Sequence, residues 1–192
     1  MESVVLHDLS IGYKDKKVGD AINASLSSGE FTCLLGSNGV GKSTLLKTMS
    51  GFIKPLAGDV IIDDVNINNY SSIKLARKIS VVLTGKTGVE NISVGELVGM
   101  GRYPFTGFWG TLSAADDKIV DESLDMVGVL KLKNRMVQTL SDGERQKTMI
   151  AKALAPLAEA LGIELPPAGQ KPPKDAEQQI AQQIEGVLGG LE

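Results

Sequence analysis

Short apolar runs and helical periods alternate along the first part of the chain. The apolar runs predict four strands, at residues 4–9, 31–35, 60–62 and 79–83. The run at 31–35 is continuously apolar, which is typical of a strand buried on both faces of a sheet. Residues 43–50 predict a helix that Gly51 ends, and a shorter helix is predicted to begin near Ser71. This alternation of strands and helices predicts an α/β fold.

Helical periodicity dominates the next part of the chain. Ser93 and Glu96 form a capping-box pattern, and Ser113 opens a longer amphipathic helix. Between these helices, residues 101–110 read GRYPFTGFWG, and their aromatic and turn residues together predict a loop. A helical subdomain over about residues 90–150 is therefore expected to follow the strands.

The composition changes near residue 156. Five of the seven prolines lie beyond residue 155, where two lysines stand against six acidic residues. The proline-rich residues 164–174 are typical of a semi-rigid linker. One amphipathic helix is predicted at about residues 176–188, with an apolar face formed by Ile180, Ile184, Val187 and Leu188. We interpret residues 1–155 as the organised domain and residues 156–192 as an unrelated Pro/Gln-rich tail.

The overall composition excludes several classes of function. With 20 basic and 23 acidic residues among 192, the net charge is −3, so nucleic acid is not an expected partner. The only cysteine, Cys33, excludes an internal disulfide and any metal site that needs two cysteines. The N-terminus lacks a basic and apolar leader pattern, and no apolar stretch reaches membrane-spanning length. We therefore expect neither a secretory address nor a membrane span.

A phosphate-binding pattern follows the predicted strand at 31–35 and precedes the predicted helix at 43–50. It matches G-x-x-x-x-G-K-[ST] in full and consists of Gly36, Ser37, Asn38, Gly39, Val40, Gly41, Lys42 and Ser43. Glycines allow consecutive backbone N–H groups to converge on phosphate oxygens at the start of a helix. In this pattern the lysine reaches the β- and γ-phosphates, and the Ser43 hydroxyl ligates Mg²⁺. The alternative is a glycine-rich turn that contains Lys-Ser by chance.

A second motif, LSDGERQK, occupies residues 140–147. Ser141 and Glu144 stand where a helix would begin, so a capping box explains them without any ligand. Gly143 weakens that explanation, because a glycine in the first turn of a helix costs about 1 kcal/mol relative to alanine. Such a cost is easier to understand where another group approaches the backbone closely. The motif therefore predicts either a plain helix start or a second anion site.

The phosphate loop, the LSDGERQ run and the helical segment between them together resemble the ATP-binding subunits of ABC transporters. Residues 140–146 are similar to that family's signature motif, usually LSGGQ, and the resemblance covers residues 1–155. GRYPFTGFWG is similar to the subgroup that serves iron-chelate, haem and vitamin B12 importers. The resemblance implies a P-loop NTPase fold of ABC type with an inserted helical subdomain and a sheet incomplete on its C-terminal side. Kinases and GTPases share the phosphate loop, but they do not explain residues 140–146.

The resemblance also implies roles for individual residues. Tyr13 would stack on adenine, with a tyrosine at the start of a turn as an equal alternative. ATP and Mg²⁺ would lie on residues 36–44, which include Thr44. The signature motif would comprise Ser141, Asp142, Gly143 and Glu144. Of these, Ser141 and Gly143 would meet the γ-phosphate held by the second subunit of a head-to-tail homodimer.

A membrane permease is the further partner that the resemblance implies. The protein would then be cytoplasmic and peripheral to the inner face of the cell membrane. The loop from Arg102 to Trp109 would lie near cytoplasmic loops of the permease, where exposed aromatic residues suit a docking surface. Phe105, Phe108 and Trp109 would serve equally well as the cap of a local core.

Three parts of the family's pattern are absent or altered. No apolar run ending in Asp-Glu follows residue 147. The family's switch histidine is missing, because the only histidine is His7 in the first strand region. Thr84 replaces the expected Q-loop glutamine. The Asp-Glu pair normally ligates Mg²⁺ and polarises the attacking water, so no catalytic residue is identified and little or no hydrolysis is expected. A truncated, recombined or engineered C-terminus would account for the change of sequence near residue 156. The two hypotheses are an importer ATPase subunit and a non-hydrolysing nucleotide-binding or structural fragment.

Overall fold

The computed structural model describes residues 2–14, 16–82, 91–107 and 110–160. The chain forms two compact units, which divide between Val81 and Val82. The predicted tail helix lies outside the described residues, as do Thr84, Phe108 and Trp109. Among the described residues, no helix is long and apolar enough to cross a bilayer.

The first unit contains a four-stranded sheet in which every pairing is antiparallel. Its strands are β1 (Glu2–Tyr13), β2 (Lys16–Ser27), β3 (Ala57–Ile62) and β4 (Val65–Asn66), in the spatial order β2-β1-β3-β4. β1 and β2 form a hairpin in which Tyr13 pairs with Lys16. Asp8 and Ala21 have left-handed backbone where the register of this ladder shifts, as in β-bulges. The Asn23 side chain supports this irregularity by accepting a hydrogen bond from the Asp8 N–H at 2.9 Å.

Helix α1 (Lys42–Met49) packs against the apolar core of this unit. Leu45 and Met49 of the helix contact a core formed by Leu6, Leu9, Ile11, Val60, Ile62 and Ile67. The Thr48 hydroxyl is fully buried and donates to the Thr44 carbonyl at 2.9 Å, so it needs no other partner. The predicted helix is confirmed, and Gly51 follows it with φ of 76°. Helix α2 (Ser72–Ala76) also begins as predicted, with the Ser71 hydroxyl as its cap.

Two predicted strands are wrong over the described residues. Residues 31–35 and 79–82 have no regular secondary structure, and Phe31 and Leu35 are 76% and 77% exposed. Both runs have the composition of buried strands, but a strand also needs a hydrogen-bonded neighbour, and neither run is paired in the sheet of the described residues. The sequence does not predict β2, because its apolar and polar residues show no strict alternation.

The second unit is helical, as predicted. Its helices are α3 (Val94–Gly99), α4 (Ala114–Met126), α5 (Asp142–Leu154) and α6 (Leu157–Ala160), with 3₁₀ turns at Met100–Phe105, Leu130–Leu132 and Val137–Thr139. The core between α3, α4 and α5 includes Val94, Leu97, Val98, Val120, Leu124, Met149 and Ala151. The predicted loop at 101–110 is therefore wrong in part, because its first residues form a 3₁₀ helix.

Arg102 is buried inside this unit rather than displayed on the 3₁₀ helix. It is 1% exposed, and its Nε donates to Asp116 Oδ1 at 2.8 Å. Its Nη1 donates to the carbonyl oxygen of Ala155, the C-cap residue of α5, at 2.9 Å. The Phe105 ring lies 4.1 Å from the guanidinium carbon. One side chain thus ties the 3₁₀ helix to the start of α4 and the end of α5.

Three helices of the second unit begin with complete capping boxes, which confirms the helix starts predicted at Ser93, Ser113 and Ser141. In each, the serine hydroxyl accepts the N–H of the residue three positions later, whose carboxylate in turn accepts bonds from the serine N–H and O–H. These carboxylates belong to Glu96, Asp116 and Glu144. The serine bonds lower the pKa of all three, chiefly through the backbone N–H at both glutamates and through the hydroxyl at Asp116.

The capping boxes predict that acid weakens the second unit. A carboxyl whose pKa is lowered by folding stabilises the native state above its unfolded pKa, and this contribution is lost as the pH falls through the lowered value. We expect the free energy of unfolding to be steady above about pH 5 and to fall below it. Urea titrations followed by the fluorescence of Trp109, the only tryptophan, measure this dependence.

Glutamine provides the control for the acid prediction. Glu96→Gln combined with Glu144→Gln keeps an acceptor for the capping box but removes two titrating groups. Because ordinary carboxyl groups have pKa values of about 4, the double variant should lose less stability than the parent chain between about pH 5 and about pH 3. Identical pH profiles for the two proteins would contradict the assignment.

Candidate functional site

The predicted phosphate-loop residues lie in the first unit and lead directly into α1. Gly39 and Gly41 have left-handed backbone, with φ of 84° and 108°, which other residues adopt at a cost. The Val40 N–H donates to the Ser37 carbonyl at 3.4 Å, and the Leu45 N–H donates to the Gly41 carbonyl at 2.9 Å. The chain thus turns within the loop and enters the helix at Gly41, as the sequence pattern predicts.

The N-terminus of α1 is open to an anion. Its N-cap residue is Gly41, which has no side chain to accept the first backbone N–H groups, and the first turn contains no acidic residue. These N–H groups have no intrahelical acceptor, and the helix dipole adds partial positive charge at the same place. A phosphate group is the kind of ligand that such a helix start binds.

Lys42 adds a full positive charge to this end of the helix. Its Nζ donates to the carbonyl oxygens of Gly36 and Ser37 at 2.5 and 2.8 Å. These contacts hold the ammonium group against the beginning of the loop, on residues that the sequence pattern assigns to phosphate binding. The side chain is therefore positioned to contact a phosphate that reaches the N-terminus of α1.

A cavity of about 260 Å³ lies over the loop and the helix start. It is lined by Val18, Asn38, Gly39, Gly41, Lys42, Ser43 and Thr44. Typical ligand pockets have about 300–1,000 Å³, so this cavity suits the phosphate groups of a nucleotide rather than the whole molecule. Its lining offers an ammonium group, backbone N–H groups and the Ser43 hydroxyl without any carboxylate. This donor set fits a phosphate with a Mg²⁺ ion on the serine oxygen.

Side chains of the β1–β2 hairpin lie against the phosphate loop at Gly41. A Cβ atom on Gly41 would lie 2.6 Å from Val18 Cγ1 and 3.9 Å from Ile11 Cδ1, so only glycine fits there. Tyr13 ends β1 two residues after Ile11 and is 49% exposed, which leaves its ring accessible to a ligand. Val18 was not among the predicted site residues, because a single valine in an unpredicted strand carries no sequence signal.

The second motif begins α5 in the other unit. Ser141 Oγ accepts the Glu144 N–H at 3.3 Å and donates to Glu144 Oε2 at 2.9 Å, while the Ser141 N–H donates to the same oxygen at 2.8 Å. The plain capping box proposed from the sequence is therefore present in full. An anion approaching this helix would have to compete with Glu144 for the hydrogen bond that the Ser141 hydroxyl donates.

Arg135 balances the charge of Glu144 and was not predicted from the sequence. Its Nη1 lies 3.5 Å from Glu144 Oε1, and its Nη2 donates to the Thr139 carbonyl at 2.8 Å. Asp142 is fully exposed and lies 4.0 Å from Arg145 Nη1. The two acidic departures from the signature pattern thus each have an arginine nearby, which reduces their repulsion of an anion.

Gly143 stands in open space in the first turn of α5. A Cβ atom built on it would meet no atom within 4 Å, so contacts with the described residues do not require glycine there. The backbone at Gly143 is therefore accessible to another molecule.

A family model described as ABC transporter matches residues 20–161. This match includes both the phosphate loop and the start of α5. The chain belongs to the ABC transporter family. Membership of this family implies ATP binding, which agrees with the Lys42 ammonium group and the uncapped N–H groups at the start of α1.

Similar proteins from three organisms are named as ATP-binding proteins. An uncharacterised ATP-binding protein of Methanocaldococcus jannaschii is 39% identical over 83% of this chain and 55% of its own length. The achromobactin transport ATP-binding protein of Dickeya dadantii is 34% identical over 86% of this chain and 62% of its own length. The ferric enterobactin transport ATP-binding protein of Escherichia coli is 36% identical over 77% and 54%. This ABC-family chain thus spans little more than half the length of the curated relatives that it matches.

Solved ABC structures share the fold. A metal-chelate-type ABC transporter in an inward-facing conformation matches with a TM-score of 0.68 at 27% identity, over 81% of this chain and 57% of the other. A bacterial ABC transporter cassette solved as a dimer matches with a TM-score of 0.69 at 26% identity, over 80% and 69%. The ABC-type P-loop fold predicted from the sequence is confirmed, with a small and incomplete antiparallel sheet in the described residues.

Proposed function

We propose that this chain is the nucleotide-binding part of an ABC importer's ATP-binding subunit. ATP binds with its phosphates on residues 36–44, Tyr13 stacks on adenine, and Ser43 ligates Mg²⁺. The observation that carries the proposal is the uncapped N-terminus of α1 with the Lys42 ammonium held beside it. Bound Mg²⁺ neutralises phosphate charge, while Lys42 and the N–H groups of α1 orient the phosphate groups.

The transported solute is an iron chelate, haem or a cobalamin-like compound. Relatives named for achromobactin and ferric enterobactin transport support this class, and so does a cobalamin import ATP-binding protein of Halobacterium salinarum that is 35% identical. The subunit works as a head-to-tail homodimer bound to a membrane permease at the cytoplasmic face of the membrane. The exposed Tyr103 on the 3₁₀ helix after α3 suits that permease contact.

In this dimer, Ser141 and Gly143 contact the γ-phosphate bound to the other subunit. The open space at Gly143 supports this role, because a phosphate can reach the backbone there without a clash. Asp142 and Glu144 flank the contact, and Arg135 offsets the charge of Glu144. The 192-residue chain contains no Asp-Glu pair at the end of an apolar run after residue 147, so we infer binding without appreciable hydrolysis.

Titration calorimetry of the purified chain with Mg-ATP and with AMP tests the proposal. We expect ATP to bind with a stoichiometry of one per chain and AMP to bind much more weakly, because AMP lacks the phosphates that meet Lys42. Phosphate release should stay well below about 1 per second. Equal binding of both nucleotides, or none of either, would contradict the proposed site, and faster turnover would contradict the inferred lack of hydrolysis.

The second candidate is a structural fragment without nucleotide chemistry. It is favoured by the exposure of Phe31 and Leu35, which a complete sheet would cover. Absence of ATP binding to a chain with a cooperative unfolding transition would support it.

Gly143→Ala separates the proposed contact in trans from folding. Alanine is the better helix former by up to about 1 kcal/mol, and it meets no atom within 4 Å, so the unfolding midpoint should stay or rise. Association of two chains in Mg-ATP should nevertheless weaken about tenfold or more, because the added methyl blocks the backbone from the phosphate. Sedimentation velocity measures the association. Unchanged association, or a parent chain that stays monomeric in Mg-ATP, would contradict the role in trans.

A further inference from the structure

The Arg135 side chain connects the 3₁₀ turn before α5 with the first turn of α5. Its Nη2 donates to the Thr139 carbonyl oxygen at 2.8 Å, and its Nη1 lies 3.5 Å from Glu144 Oε1. Its own carbonyl oxygen accepts the Val94 N–H at 2.9 Å, which ties its backbone to the start of α3. The guanidinium group thus reaches the first turn of α5 from a backbone position that α3 holds in place.

The two oxygens of the Glu144 carboxylate have different partners. Oε2 accepts both the N–H and the hydroxyl of Ser141, at 2.8 and 2.9 Å, whereas Oε1 faces the guanidinium group of Arg135. The Ser141 backbone N–H is the main cause that lowers the pKa of the Glu144 carboxyl, the Ser141 hydroxyl is the second, and the charge of Arg135 lowers it further. Glu144 is therefore an anion at neutral pH, in the helix turn where the proposed function requires a phosphate to approach.

A phosphate at this turn competes with Glu144 and is repelled by it. The Ser141 hydroxyl has one proton to donate, so it serves either the carboxylate or the phosphate. Two like charges this close destabilise a complex unless a cation lies beside them. Arg135 can meet both difficulties, because its planar fork of donors holds a carboxylate while its charge offsets the repulsion.

We propose that Arg135 is a positioning residue for the phosphate contact at Ser141. When a phosphate reaches α5, the Ser141 hydroxyl turns from Glu144 Oε2 to a phosphate oxygen, and Arg135 keeps the carboxylate in place through Oε1. Only hydrogen bonds are exchanged, and each proton stays on its own atom. The proposal rests on the proposed contact in trans, to which it adds the exchange that lets an acidic signature motif accept a phosphate.

Arg135→Gln tests this role, with Lys131→Gln as its matched control. Both variants lose one positive charge from the second unit, and Lys131 is an exposed residue in the 3₁₀ turn Leu130–Leu132. Sedimentation velocity in Mg-ATP should show that Arg135→Gln weakens association of two chains about tenfold and that Lys131→Gln weakens it less than about twofold. Equal losses in the two variants would indicate a general effect of charge and would overturn the proposal.

A double-mutant cycle with Glu144→Gln shows whether Arg135 acts through the carboxylate. Glutamine keeps an acceptor for the capping box but carries no charge, so Glu144→Gln should associate at least as strongly as the parent chain. In this background Arg135→Gln should cost less than about twofold in association, because it has no carboxylate to hold. A cost of about tenfold in both backgrounds would mean that Arg135 contacts the phosphate itself or only supports the turn at Thr139, and either result overturns the proposal. Weaker association of Glu144→Gln alone would overturn it as well.

Two further measurements separate this proposal from loss of folding and from failure of the proposed function. Arg135 and Glu144 are both partly exposed to water, so Arg135→Gln should leave the urea unfolding midpoint nearly unchanged. A parent chain that binds Mg-ATP but stays monomeric would contradict the contact in trans and this proposal together. A parent chain that associates no more tightly than a folded Arg135→Gln variant would overturn this proposal alone.

Discussion

Lys42→Ala is expected to weaken Mg-ATP binding at least about 100-fold, because charge-assisted hydrogen bonds to phosphate are worth about 1.5–3 kcal/mol and the unit charge is lost as well. Lys42 is the cation held at the start of the loop, within 2.8 Å of the Ser37 carbonyl oxygen. In the proposed complex, its ammonium group would exchange these carbonyl contacts for contacts with phosphate oxygens. Titration calorimetry at fixed ionic strength measures the loss.

Lys47→Ala is the matched control for this prediction. Lys47 is an exposed residue in the last turn of α1, and its removal changes the net charge by the same amount. It lies at the other end of the helix from the N–H groups that face the cavity, so binding should fall less than about threefold. Equal losses in the two variants would indicate a general effect of charge and would contradict a specific role for Lys42.

The unfolding transition must be compared in the same experiment. Lys42→Ala removes the hydrogen bonds to the Gly36 and Ser37 carbonyls, which remain open to water because both residues are exposed. Water can replace the ammonium group there, so the free energy of unfolding should change by less than about 1 kcal/mol. A large loss of stability would mean that Lys42 holds the loop together rather than the nucleotide.

Local patterns in the sequence predict the second unit well. Ser93, Ser113 and Ser141 were each predicted as helix starts, and each caps a helix with the partner three residues later. These signals succeed because a capping box is complete within four residues and needs nothing from the rest of the chain. The turn through Gly39 and Gly41 into α1 is likewise predicted from one short segment.

Features that depend on distant residues could not be predicted in the same way. The run at 31–35 has the composition of a buried strand, but whether it forms one depends on neighbouring strands elsewhere in the chain. The antiparallel pairing of β2 with β1 likewise depends on the hairpin rather than on the pattern of β2. The resemblance predicts that Arg102 lies in a loop near a permease. The structure instead shows it buried and hydrogen-bonded to Asp116 and Ala155, which lie 14 and 53 positions later in the chain.

Arg102→Met is expected to destabilise the second unit by about 3–5 kcal/mol, which is the usual cost of breaking a buried ion pair. Methionine keeps the apolar stem but leaves the Asp116 carboxylate without its guanidinium partner and the Ala155 carbonyl without a donor. Urea unfolding followed by Trp109 fluorescence measures the loss. Lys147→Met removes an exposed cation from α5 and should cost less than about 0.5 kcal/mol.

A double-mutant cycle shows whether the ion pair itself causes this loss. Asp116→Asn alone weakens both the ion pair and the capping box at Ser113, so it should also destabilise the unit. Once Arg102 is methionine, the same change removes an unpaired buried charge and should cost less by about 1–3 kcal/mol. Additive costs in the double variant would mean that Arg102 acts through Ala155 and Phe105 rather than through Asp116. The 3₁₀ helix that carries Tyr103 would then be anchored to the end of α5 alone.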